Sequence, residues 1–300
     1  MNKVKIITDA CSDISKEWRE KYDIDYVPLT LIWNDKEVLA TCDWDNFTAK
    51  EYYDALRAGA RIKSNQTSAL EFEHIYNKYL DEGYDIVYIG CSSWISGTYS
   101  VGTTVAKNIM EKRAGAKILT VDAKVSCGGQ ALIVVEAAKL AASGESAEKI
   151  AEHAIELSKH VFQTGSVDTL EFLKRAGRVK AAAAFFGNLF GVKPIIVNDV
   201  HGANFAVKKV KGRQASIDYC IELFKETLIF DEQKYPVSEQ TVYIAHADCR
   251  DTADQIAERI MSEIKPKDVY INFVGPSVGA SVGPGMFAIY GFGKPVTLNA

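Results

Sequence analysis

Short apolar runs alternate with stretches of helical period through the first half of the chain, and that alternation leaves few folds open. Val4 to Thr8 is a run of buried-strand character that ends in the polar turn Asp9-Ala10-Cys11-Ser12-Asp13. Ile24 to Trp33 reads as further extended chain, broken by the Asn34-Asp35 turn, and Thr48 with Glu51 opens a helix to Arg57 as a capping box. Ser68 and Glu71 repeat that spacing. Behind them Phe72, Ile75, Tyr76, Tyr79 and Leu80 fall on one helix face, which Gly83 closes. Asp85 to Gly90 is the next strand, followed by a helix reaching about Lys112, a strand Lys117 to Val121 and a helix Gly128 to Ala142. Strand and helix in this rhythm predict a parallel sheet with crossover helices.

The second half has a different rhythm. Val161 to Ser166 is a strand, and helices are expected over Thr169 to Arg175 and Val179 to Leu189. Lys193 to Asp199 and Phe205 to Val210 flank His201-Gly202, an antiparallel hairpin. A helix (Ser216 to Phe230), a strand (Thr241 to His246), a helix (Thr252 to Ile264) and a strand (Val269 to Phe273) follow, before a glycine-rich segment, Gly275 to Gly285. Three hundred residues exceed what one core usually holds. The expectation is an α/β protein of two domains, residues 1–160 with a parallel sheet and 161–300 with a mixed sheet, the last strand or tail crossing back.

Charge and composition narrow the function. A net charge of -4 gives no basic footprint for nucleic acid. The longest apolar stretch, Ala131 to Ala142, is interrupted by Glu136 and Lys139 and is too short to span a bilayer. Asp9 and Asp13 stand where a signal peptide needs apolar residues, so the expected compartment is the cytoplasm. The six cysteines show no CxxC pair or framework spacing and read as reduced thiols.

Two polar clusters sit where strand meets helix, Lys63 to Ser68 and Ser92 to Thr98. Loops at the carboxyl ends of strands border the ligand crevice of an open α/β sheet, and a helix N-terminus there suits an anion. Hydroxyls from Ser64 and Ser96 complete such a site without a cation, whereas Ser68 reads as a helix cap. Gly275 to Gly285 lets backbone approach a ligand or simply turns the chain; it fits neither GxGxxG nor GxxxxGK[ST]. A hydrolase reading would make Ser96 a nucleophile and His246 its base, but Ser96, in Trp94-Ile95-Ser96-Gly97-Thr98, does not stand in a GxSxG elbow. His246-x-Asp248 offers two metal ligands, fewer than a site needs. No cofactor or metal is implied.

With these clusters in hand, the chain resembles the DegV family nearly end to end. Asp9 to Asp13 is similar to Asp-Ser-Thr-Ser-Asp, Ser64 to Ser68 to Thr-Ser-Gln-Pro-Ser, and Ser92 to Tyr99 to Ser-Ser-x-Leu-Ser-Gly-Thr-Tyr. Asp168 to Val179 resembles Asp-Thr-Leu-Glu-Tyr-Leu-x-x-Gly-Gly-Arg-Ile, and Lys209 to Arg213 and Gly283-Pro284-Gly285 fit as well. The resemblance implies a protein that does no chemistry alone, with one long, palmitate-like fatty acid between two domains, delivered to a separate fatty acid kinase subunit that phosphorylates its carboxylate. It places the carboxylate on Ser64, Ser96, Asn65, Gly97 and Ser281, and turns Arg178 toward the kinase. Transient contact with a membrane surface would exchange the ligand. Arg178 reads equally as a cap on a helix end, and Ala181 to Phe186 with Leu189 and Phe190 either lines the tail pocket or fills core. Cys11, Ser64 and Asn65 replace threonine, threonine and serine of the pattern, and Ala176 replaces a glycine. Ser281 stands where the family commonly has histidine, which keeps a hydrogen-bonding group but loses a possible positive charge. Two other readings stay open: a Ser96-dependent acyl hydrolase or transferase, and a regulatory module for another small molecule.

Overall fold

The structure is a computed structural model, and it describes residues 3–179, 191–228 and 235–299. The first sheet joins β1 (Val4–Asp9), β2 (Ile24–Val27), β6 (Asp85–Gly90) and β7 (Ile118–Asp122) in the order β2-β1-β6-β7, all parallel. Successive side chains of these strands enter opposite layers, as a sheet covered on both faces requires. Ile7, Ile86 and Tyr88 pack under α3 (Ala69–Asp81) and α4 (Thr98–Lys112), whereas Ile6, Val87 and Ile89 face α5 (Cys127–Ala142) and α6 (Ala147–His160). The Thr48–Glu51 capping box opens α2 (Ala49–Arg57), with both reciprocal bonds made, and the Ser68 hydroxyl caps α3 by accepting from the Glu71 amide.

A small antiparallel sheet flanks this domain. β3 (Leu29–Trp33) pairs with β4 (Lys36–Ala40) and with the short β5 (Lys63–Asn65). Asn34 and Asp35 both take positive φ, 52° and 58°, the conformation a two-residue hairpin turn needs to match strand twist.

The second sheet runs β10-β9-β8-β13-β11-β12, from β8 (Val161–Ser166), β9 (Val192–Asn198), β10 (Asn204–Lys211), β11 (Thr241–His246), β12 (Asp268–Phe273) and β13 (Phe287–Phe292). Only β11 and β12 are parallel; the other neighbours are antiparallel. One antiparallel hairpin was expected here; β8 pairs antiparallel with β9 as well, and β13, which follows the glycine-rich segment and inserts between β8 and β11, adds two more antiparallel pairs. Its six residues are all buried. Glycines at 283, 285 and 291 before and within this apolar run make it read as turn in the sequence. Helices α8 (Arg213–Leu228) and α9 (Arg250–Glu263) close the outer face with Ile217, Ile221, Phe224, Ile256 and Ile260. The helix expected over Val179 to Leu189, with Phe190, lies outside the described residues except for Val179, as do the last two residues of the one expected to Phe230.

The glycine-rich segment itself is partly helical. After β12 the chain forms α10 (Pro276–Val282), which packs on the small sheet and on α2. The hydroxyls of Tyr52 and Tyr53 donate to the carbonyls of Pro276 and Val274, 2.7 and 2.6 Å away. The tail returns to α6, where the amides of Gly293 and Val296 donate to the carbonyls of His160 and Lys159. No helix among the described residues is long and apolar enough to cross a membrane.

α5 holds the two sheets together. Its first nine residues are all buried, and it touches strands of both sheets. Gly128 makes this possible, because a Cβ there would lie 2.1 Å from the ring of Tyr243 on β11. Gly128→Ala should therefore destabilise by about 2 kcal/mol or more, despite a helix-propensity gain of about 1 kcal/mol. Urea unfolding checks this; a more stable variant would show that the helix and β11 are not in this contact.

Candidate functional site

A cavity of about 500 Å³ is lined by strands of the small and six-stranded sheets and by the loops that follow β1 and β6. β5 contributes Ser64 and Asn65, the loop after β6 contributes Ser96 and Gly97, and α10 contributes Ser281. Arg178, just past α7 (Glu171–Ala176), is exposed and also reaches this cavity. All six residues singled out in the sequence thus line one space. Apolar wall comes from Leu29, Val167, Leu173, Ile196, Val282 and Met286.

The two polar loops are tied to one another. The Thr67 amide donates to the Thr98 hydroxyl oxygen at 3.3 Å. Ser96 in turn donates its hydroxyl to Thr98 Oγ1 at 3.0 Å and accepts from the Thr98 amide at 3.2 Å. Gly97 has an ordinary φ of -75°, so its role is space: a Cβ there would lie 2.0 Å from Gln66 Oε1. The same loop is anchored across the domains by Ser92, whose hydroxyl donates to the Gly202 carbonyl at 2.9 Å. The fifteen-residue α4 begins at this wall, and its amide end favours negative charge.

Below the loops lies a layer of buried acid and thiol. Asp9 accepts from the amides of Cys11 (3.0 Å) and Cys91 (2.8 Å) and from the Tyr88 hydroxyl (2.8 Å). Burial pushes its carboxyl up, against the pull of the Cys91 amide and the Tyr88 hydroxyl. Cys11, Cys91 and Cys127 all line the cavity, and all six cysteines of the chain are free. Asp13, at a left-handed φ of 50°, is buried against the Cys127 thiol and the Gly275 amide, and burial raises its pKa to about 8.

Arg178 takes the helix-end role as well as a place at the cavity. Gly177 closes α7 with a φ of 68°, and Arg178 Nη1 donates to the Ala176 carbonyl at 2.8 Å. Three of the quoted motifs also converge: Asp168 accepts from Lys193 (2.5 Å) and Arg213 (2.7 Å), and Gly285 lies where a Cβ would meet the Asp168 carboxylate.

The alternative chemistry is not assembled. His246 is buried away from the cavity lining, its ring 4.3 Å from that of Phe273, and its Nδ1 accepts from the Cys249 amide. Burial lowers its pKa to about 4. Asp248 is paired with Arg57 of α2. No group of three His, Cys, Asp or Glu side chains among the described residues is placed to hold a metal. Sequence reasoning missed the thiols, Ser277, Gln163 and Tyr290 as cavity lining. Cys11 and Cys91 had a usable signal, since both follow the carboxyl ends of neighbouring parallel strands.

The buried acid gives a pH dependence with a definite sign. A carboxyl whose folded pKa lies above its unfolded value near 3.8 makes the fold less stable as pH rises from about 4 to about 8. Asn tolerates the left-handed conformation, so Asp13→Asn should remove up to about 1.4 kcal/mol per pH unit of that slope. Urea midpoints measured between pH 5 and 9 check this, and parallel profiles for the two proteins would contradict it.

Comparison with known proteins agrees with this architecture. The DegV family model matches residues 3–293. A DegV domain-containing protein of Clostridium perfringens is 33% identical over 295 residues, 98% of either chain. The structure of a DegV lipid-binding protein from Thermotoga maritima matches with a TM-score of 0.85 at 25% identity, over 98% of this chain and 100% of that one. That of DegV, a fatty acid binding protein from Bacillus subtilis, matches with a TM-score of 0.82 at 26% identity over the same shares. From the opening aspartates to the closing glycines, this chain belongs to the DegV family.

Proposed function

We propose that this protein binds one long-chain fatty acid in the cavity, with the carboxylate held by Ser64, Asn65, Ser96, Gly97 and Ser281. The observation that carries the reading is the cavity itself, where hydroxyls and a helix N-terminus share one space with apolar wall. The related proteins from Thermotoga maritima and Bacillus subtilis, described as lipid-binding and fatty acid binding, support it. A carboxylate taken out of water without partners costs several kcal/mol, so convergent neutral donors are what such a head group requires. Each buried methylene returns about 0.8 kcal/mol, so the tail supplies most of the affinity of a palmitate-like chain.

In this reading the protein is a cytoplasmic carrier, not a catalyst, and it divides near residue 160 with the ligand held between the parts. A separate fatty acid kinase subunit phosphorylates the presented carboxylate, and Arg178 faces that partner. Ligand exchange takes place in brief contact with a membrane surface. The bond from Ser96 to Thr98, and the distance of His246 from the cavity, favour this over a Ser96-dependent hydrolase or transferase.

Mass spectrometry of protein purified from a bacterial host, native and after organic extraction, tests the carrier role. One fatty acid per chain is expected, with the loaded fraction reduced about tenfold or more in Ser64→Ala/Ser96→Ala. A clean apo mass with no uptake of added fatty acid would overturn the reading. Arg178→Ala should load normally, yet slow acyl phosphate formation by the kinase subunit with ATP by about tenfold. Equal loss of loading and of phosphorylation would instead place Arg178 at the ligand.

A further inference from the structure

Ser277 carries the inference that goes furthest. Its side chain is 3% exposed, it lines the cavity, and its hydroxyl has no hydrogen-bond partner. Other buried polar groups without a bonded partner, on Gln130, Thr164 and Arg213 for example, belong to residues that do not line the cavity. A buried hydroxyl is normally satisfied, and a helical serine can satisfy itself on the carbonyl one turn back; Ser277 does neither. The fold therefore keeps a polar group at a cost, at the wall of its own cavity.

Its position gives that group a use. Ser277 and Ser281 are four apart on α10, so they occupy one face of the helix, Ser277 the more buried of the two. Ser96 must give up its bond to Thr98 before its proton can reach a ligand, whereas Ser277 gives up nothing. An ionised carboxylate accepts only, through about four lone-pair sites, and so can take a hydroxyl from this side as well as from the loops.

We propose that Ser277 is a ligand-binding residue, whose unbonded hydroxyl turns about χ1 toward the cavity to donate to the carboxylate, and that it helps the cavity select a free acid over its ester. This rests on the fatty-acid reading above and adds a residue and a specificity to it.

The test compares Ser277→Ala with the unaltered chain in three measurements: palmitate affinity, methyl palmitate affinity and apo thermal stability. Palmitate binding should weaken about tenfold, the worth of one hydrogen bond to a charged group, while methyl palmitate binding changes less than about twofold. The apo form should melt at the same temperature or higher, because the substitution removes an unsatisfied buried hydroxyl. A merely structural serine would instead lower the melting temperature and weaken both ligands alike. Unchanged palmitate affinity in the variant overturns the role of Ser277 and leaves the carrier reading standing. Failure of the unaltered chain to bind palmitate overturns the carrier reading, and this inference with it.

Discussion

The buried carboxylate of Asp9 is the contact on which the rest of the site depends. It lies at the end of β1 and takes the amides of Cys11 and Cys91, one from its own strand end and one from the end of the neighbouring β6. Two chain segments leaving a parallel sheet are thereby held side by side with their backbone donors satisfied. The loop that follows Cys91 then carries Ser96 and Gly97 to the cavity, and the turn that follows Cys11 carries Asp13 to α5 and Gly275. Removing that acceptor would leave two buried amides without a partner and release both segments together.

α5 transmits this order to the second sheet. Its glycines let aromatic rings of β11 and β13 come close, Tyr243 at Gly128 and Tyr290 at Gly129. Tyr243 also donates to the carbonyl of Asp13 at 2.9 Å, as does Asn272 at 2.8 Å. The opening motif of the chain is therefore fastened to strands more than two hundred residues later. Among the described residues that line the cavity Arg178 is the charged one, and it is exposed, so neutral hydrogen-bond donors make up the rest of their polar wall. Such a wall suits an anion whose binding energy comes mainly from an apolar tail.

Much of this was legible in the sequence where local physics decides. The alternation of buried runs with the Phe72 helix face specified the parallel sheet, and the Thr48 and Ser68 caps marked helix starts within a residue. Ser64 and Asn65 were visible because they stand shortly before α3, and Ser96 and Gly97 because they lie between β6 and α4. β13 was not visible, because it follows Gly283-Pro284-Gly285 directly and holds Gly291, so its short apolar run reads as part of the glycine-rich turn. Nor was Ser277, whose character depends on the partner it lacks in three dimensions, not on its neighbours in the chain. The thiols of Cys11, Cys91 and Cys127 lacked any metal or disulfide spacing, and only the pairing of β1 with β6 brings the first two together.

The central claim is that one cavity receives one carboxylate. Carbon NMR of palmitate labelled at its carboxyl carbon, titrated into delipidated protein, observes that group directly. The account predicts a single bound resonance, distinct from free palmitate, that saturates at one equivalent per chain. A signal that stays at the free position at every ratio, or that grows without saturating, would contradict it.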